Sequence, residues 1–196
     1  MNHKHIYLVF TRTGTWLSRM IGIISSLKYP HASISFDDRF TNMYSFGRLN
    51  PDNPFAGGFV VEDLRDGVYR KFPESECLIY EIEVSEEQHR SIREQIEEFL
   101  KEKEKYRYNF LGLFGVITNR PVKRKNRYFC SQFVAHILMN AGVFHSDKAP
   151  ELVRPDDLFA VENKRLIYEG PVKGIKPASP GGSIGKIAAV PLGKCG

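Results

Sequence analysis

Short runs of alternating apolar and polar residues, joined by turns more often than by helices, constrain this chain most. His5 to Thr11, His31 to Phe36, Thr41 to Phe46, Phe59 to Asp63, Val68 to Phe72 and Cys77 to Val84 all show it. A period of two sends successive side chains to opposite faces, so each run reads as a strand. Asp37-Asp38 turns the second run into the third, and Asp66-Gly67 reads as the tip of a hairpin between Phe59–Asp63 and Val68–Phe72. Arg165 to Glu169 adds a last strand. Parallel neighbours would need a helical crossover between each pair, and most of these runs have none. The expected fold class is therefore α+β around a central antiparallel sheet.

Three segments carry helical spacing instead. Trp16, Leu17, Met20, Ile21, Ile24 and Leu27 form one apolar stripe, stopped by Pro30. That stripe reads as core packing rather than as a lipid-binding face. Ser85-Glu86-Glu87-Gln88 fits a capping box, and Ile92, Ile96, Phe99 and Leu100 follow as the buried side of a helix ending near Lys105. A third helix runs from about Cys130 to Ala141, with Gly142 as its stop. Gly47 to Gly58, rich in Asn, Pro and Gly, reads as a loop that either walls a cleft or merely connects. Residues Tyr106 to Thr118 are aromatic and Gly-containing, with no clear period.

The length of 196 residues fits one domain with a sizeable core. We expect a catalytic domain over residues 1–170 and a mobile Gly/Pro/Lys-rich tail over 171–196. A net charge of +5 is too small to argue for nucleic acid, and no nucleic-acid-binding motif is present. The basic stretch Arg120, Lys123, Arg124, Lys125 and Arg127 reads first as a solvated loop; attraction of an anionic substrate or membrane surface is the alternative. The start MNHKHIYLVF has no signal-peptide pattern, and no apolar run approaches the roughly 18 residues of a membrane span, so a cytoplasmic location is expected. Three cysteines, Cys77, Cys130 and Cys195, are widely spaced, which supports neither a disulfide framework nor a zinc site.

The remaining question is what single cysteines do. Cys77 sits mid-strand among apolar neighbours and reads as packing, and Cys195 ends a Gly-rich tail. Cys130 opens a helix after a basic stretch, and both features favour thiolate over thiol. A base must then come from the six histidines. His136 follows Cys130 on the same helix, turned about 240° away and about 9 Å along, and so cannot reach it. His3 and His5 are terminal, His89 is on a charged helix, and His145 follows the Gly142 stop. His31 opens a strand of small residues, leaving room for another group beside its ring.

His31-Ala-Ser-Ile-Ser on an early strand, with Phe129-Cys130-Ser131-Gln132-Phe133-Val134 opening a later helix, resembles the circularly permuted NlpC-type papain-like hydrolases. These are the YiiX-like proteins, cousins of the lecithin retinol acyltransferase-like enzymes. Over roughly residues 5–170, the resemblance implies a permuted papain-like fold with the Cys130 helix packed on the sheet. It implies a cysteine amidase or peptidase acting through an acyl-enzyme on a small peptide or acylated substrate. Cys130 would be the nucleophile and His31 the base, with backbone N–H groups holding the oxyanion. Family members orient the histidine with a third polar residue, often on the next strand. That strand has no carboxylate here, so Tyr44, Ser45 and, one strand further, Glu62 all stay open for the role. Acyl transfer or thioester hydrolysis on lipid acyl groups is the alternative, and a non-catalytic binding domain is another. Thiolate and imidazole complete such chemistry, so no metal or organic cofactor is expected. Oligomeric state is left open by the sequence.

Overall fold

A computed structural model describes residues 3–13, 27–50 and 53–175. The alternating runs become β1 (Lys4–Arg12), β2 (His31–Ser35), β3 (Met43–Asn50), β4 (Asn53–Glu62), β5 (Glu76–Val84) and β8 (Lys164–Pro171). They form one sheet in the order β4-β3-β2-β1-β5-β8, with every neighbouring pair antiparallel. Two short strands, β6 (Arg107–Tyr108) and β7 (Arg127–Tyr128), pair in parallel apart from it. The helices are α1 (Gly67–Lys71), α2 (Glu86–Lys101), α3 (Phe110–Ile117) and α4 (Cys130–Asn140). The architecture is α+β with a mainly antiparallel sheet. No helix among the described residues is long and apolar enough to cross a membrane.

The pleat separates two cores. On β1, Ile6, Leu8 and Phe10 face the larger core, while Val9 faces a smaller one. Ile92, Ile96 and Phe99 of α2 and Phe133, Val134, Ile137 and Leu138 of α4 cover the larger side. Its centre is aromatic: Phe99 lies 5.6 Å from Phe59, nearly stacked, and 5.0 Å from Phe133, edge to face. Phe40, Met43, Leu64, Tyr69, Cys77 and Ile79 fill the smaller side.

Helix α2 starts as its sequence requires: the Gln88 N–H donates to Ser85 Oγ, and the Ser85 N–H to Gln88 Oε1. Helix α4 ends at Gly142, whose φ of 66° is the left-handed conformation that glycine adopts at least cost.

Two readings of the sequence are corrected. Within the stretch Gly47 to Gly58, residues 47–50 belong to β3 and 53–58 to β4, with Gly47 opposite Gly58 and Arg48 opposite Gly57. Its glycines serve close approach, since a methyl on Gly57 would lie 2.6 Å from Tyr108 Cβ and one on Gly58 2.9 Å from the Tyr106 carbonyl oxygen. We expect Gly57→Ala to cost about 1–3 kcal/mol in urea unfolding, because a well-packed neighbour must move. A change within experimental error would show that Tyr108 can give way freely. Residues Val68 to Phe72 do not form a hairpin strand: Gly67–Lys71 is helical, closed by the Phe72 N–H to the Val68 carbonyl. The preceding turn is tied to Phe40 through the Leu64 N–H, and Tyr69 points inward from the helix. The alternation there came from one buried aromatic, not from a pleat.

Pro171 ends β8, and the Val172 N–H donates to the Ser75 carbonyl, so residues 171–175 pack onto the domain. The rest of the expected tail, with Cys195, and the expected helix over Trp16 to Leu27, except Leu27, lie outside the described residues.

Candidate active site

His31 is the first residue of β2 and Cys130 the first of α4. Helix α4 packs across β2, so the two starting points meet at one end of the sheet. Pro30 precedes the strand, and its carbonyl oxygen lies 3.8 Å from Cys130 Sγ. Phe129 extends into the helix start but carries no side-chain acceptor, so the first N–H groups of α4 are left uncapped around the sulfur.

His31 and Ser33 fall on the same face of β2, two residues apart. Glu62, the last residue of β4, reaches the same place. Its Oε2 lies 2.9 Å from His31 Nε2 and accepts from the Ser33 hydroxyl at 2.8 Å. Glu62 thereby engages Nε2, and His31 lies close enough to Cys130 for the two side chains to shift each other's titration.

The other two residues left open for the orienting role do not reach His31. Tyr44 pairs with Ile34, so the pleat sends its ring to the larger core, against Phe36 and Phe59. Ser45 is buried, and its hydroxyl donates to the Ala32 carbonyl at 2.6 Å.

The electrostatics follow from these contacts. Burial opposes charge on Cys130, but the His31 hydrogen bond and charge, with backbone hydrogen bonds from Ala32 and Ser131, outweigh it and hold the thiol below its ordinary value. For His31, burial disfavours the imidazolium, but Glu62 and Cys130 raise its pKa well above the ordinary range. Burial likewise pushes the Glu62 carboxyl up, and His31, Ser33 and Arg48 more than reverse it. The three groups together favour a thiolate–imidazolium–carboxylate array. Cys77 is the contrast: burial pushes its thiol up to about 12.

Tyr108 was not among the residues singled out from the sequence. It lines the same cavity as Cys130, and burial together with that thiol's charge pushes its phenol well above the ordinary range, so it stays a proton donor. Asn109, the next residue, caps helix α3: its side chain accepts from the Gly112 N–H and donates to the Val122 carbonyl, and its Nδ2 lies 3.5 Å from Gln132 Oε1. Tyr69, hydrogen-bonded to Thr11 at 3.1 Å, lies on the Glu62 side.

These groups open onto a cavity of about 620 Å3. Asp63, Asp66 and Tyr69 contribute to its wall, as do Arg48, Lys103 and Arg107. No group of three or more His, Cys, Asp or Glu side chains among the described residues is placed to hold a metal ion. The chain matches no protein-family model, and comparison with curated proteins and with solved structures finds no match either.

Proposed function

We propose that this chain is a cysteine hydrolase of the permuted papain-like kind, cleaving an amide bond through an acyl-enzyme. The observation that carries the reading is Cys130, His31 and Glu62 gathered on one cavity wall, with Glu62 Oε2 held 2.9 Å from His31 Nε2. A thiolate nucleophile, a base beside it and a third group orienting that base are what this chemistry requires.

The Cys130 thiolate attacks the carbonyl carbon, and the carbonyl electron pair moves to oxygen as the C–S bond forms. The N–H of Cys130 in the uncapped first turn and the Tyr108 hydroxyl are the donors offered to that oxyanion. Collapse breaks the C–N bond, and His31 gives its proton to the departing amine. His31 then takes a proton from water, the hydroxide attacks the thioester, and the C–S bond breaks to restore the thiolate. Glu62 stays ionised throughout, holding the ring and favouring its charged form.

Leu49 and Val61 are exposed apolar side chains on the cavity wall. They favour an acylated substrate over a purely polar peptide, and keep acyl transfer or thioester hydrolysis as the second reading. Added amine or alcohol competing with water for the acyl group separates the two.

The test is a p-nitrophenyl acetate burst followed by mass spectrometry. We expect a stoichiometric release of p-nitrophenolate, an acetyl group on Cys130, and neither in Cys130→Ala. Absence of a burst, or the same burst in Cys130→Ala, would leave a non-catalytic binding domain as the better account.

A further inference from the structure

Of the six large apolar side chains that stand exposed among the described residues, three lie on α3. Leu111, Phe114 and Ile117 are 54%, 64% and 54% exposed, and their spacing of three places them on one side of the helix. The inner side of that helix carries Gly112 and Gly115, fully buried, with Phe110, Leu113 and Val116 partly buried against the larger core. The helix is thus apolar all round, whereas a surface helix usually turns polar residues outward.

The glycines are required where they are. A methyl on Gly112 would lie 2.5 Å from Asn109 Nδ2, and one on Gly115 2.5 Å from the Arg120 carbonyl oxygen. The inner face is therefore closed against protein, and the apolar face is held outward by the same packing.

After α3 the chain reverses at Asn119, whose φ is 52°, and the Arg120 N–H donates to the Gly115 carbonyl at 2.9 Å. The return segment carries Arg120, Lys123, Arg124, Lys125 and Arg127. Arg120, Lys123 and Lys125 are exposed, the other two partly so, and none of the five forms an ion pair among the described residues. Unpaired cations thus border an outward apolar face.

We propose that α3 and the Arg120–Arg127 segment form a docking surface for an anionic phospholipid membrane. The three apolar side chains enter the interfacial layer, and the cations meet lipid headgroups. A second copy joined through the same face would bring two sets of cations together. A nucleic acid would use the cations but gain nothing from Leu111 and Ile117, which offer no ring to stack on. Helix α3 begins two residues after Tyr108, and the basic segment leads into Cys130, so the surface adjoins the cavity residues in sequence. The surface itself does not depend on the Cys130 chemistry.

Co-sedimentation of the full chain with phosphatidylcholine vesicles, with and without phosphatidylserine, tests this. We expect binding only to vesicles containing phosphatidylserine, weakening as salt is raised. Lys123→Glu/Arg124→Glu/Lys125→Glu should weaken it by about a hundredfold or more. Leu111→Ser/Phe114→Ser should weaken it by about tenfold or more while leaving the unfolding midpoint unchanged. Equal binding of either variant and wild type, or no binding to either vesicle, overturns the proposal. So does a marked loss of stability in the serine variant, which would mean that another part of the chain covers the face. A dimer dissociated by the serine variant would assign the face to a second copy. Retention of single-stranded RNA that depends on the cations but not on Leu111 and Phe114 would assign the segment to nucleic acid.

Discussion

In His31→Ala, alkylation of Cys130 by iodoacetamide at neutral pH is expected to slow by roughly tenfold or more. Hydrogen bonding and charge from His31 are the largest influences favouring the Cys130 thiolate, and burial is the largest opposing it. Removing the imidazole leaves the opposition in place, so the thiol returns to its ordinary value of about 8.5 or higher. At pH 7 only a few per cent or less would then be ionised, although the more basic thiolate is intrinsically somewhat more nucleophilic and recovers part of the loss. The sign shows in the pH profile. Wild-type reactivity should hold as pH falls well below 8.5, and decline only when the pair takes up a proton. In the variant it should already decline on the alkaline side of neutrality. Mass spectrometry resolves the cysteines, and Cys77, with its thiol pushed up to about 12, should stay nearly unlabelled in both. Superimposable profiles would separate Cys130 from His31 and end the hydrolase reading.

What the sequence disclosed of this site depended on whether a residue belonged to a regular period. His31 and Cys130 each open an element with a clear pattern; Ser33 was not singled out, although the pleat puts it on the same face as His31, two residues on. The choice among Tyr44, Ser45 and Glu62 was not legible, because it turns on which face each side chain takes once β3 and β4 pair. Misreading Gly47 to Gly58 as a loop hid that pairing. Glycine there marks the close approach of Tyr106 and Tyr108, which only the folded chain reveals. Tyr108 left no periodic signal at all. It comes to Cys130 through a two-residue parallel pairing with β7, too short to show in any pattern. Val68 to Phe72 misled for the opposite reason, showing alternation without a sheet to pair with.

Glu62→Gln is expected to change both reactivity and stability, over a window of pH set by its two shifted groups. His31 titrates above its unfolded value of about 6.5, so its share of stabilisation is complete below that pH and is lost as pH rises through the raised value. Glu62 titrates below its unfolded value of about 4.3, so its share is complete above that pH and is lost as pH falls through the lowered value. The difference in unfolding free energy between wild type and Glu62→Gln should therefore be greatest between about pH 4.3 and 6.5, shrinking on either side. The pair is partly shielded from water, which places it above an exposed pair worth up to about 1 kcal/mol and below the 3–5 kcal/mol or so lost on breaking a fully buried one. A loss of about 2 kcal/mol within the window is the expected result. Reactivity should follow. Without the carboxylate the imidazolium is less favoured, the Cys130 thiolate loses part of its partner's charge, and the alkylation profile moves upward in pH, though less far than in His31→Ala. Urea unfolding across the pH range, run beside the alkylation series, reads both effects. A uniform loss of stability at every pH, with the alkylation profile unmoved, would make Glu62 a packing residue and leave His31 without a group to orient it.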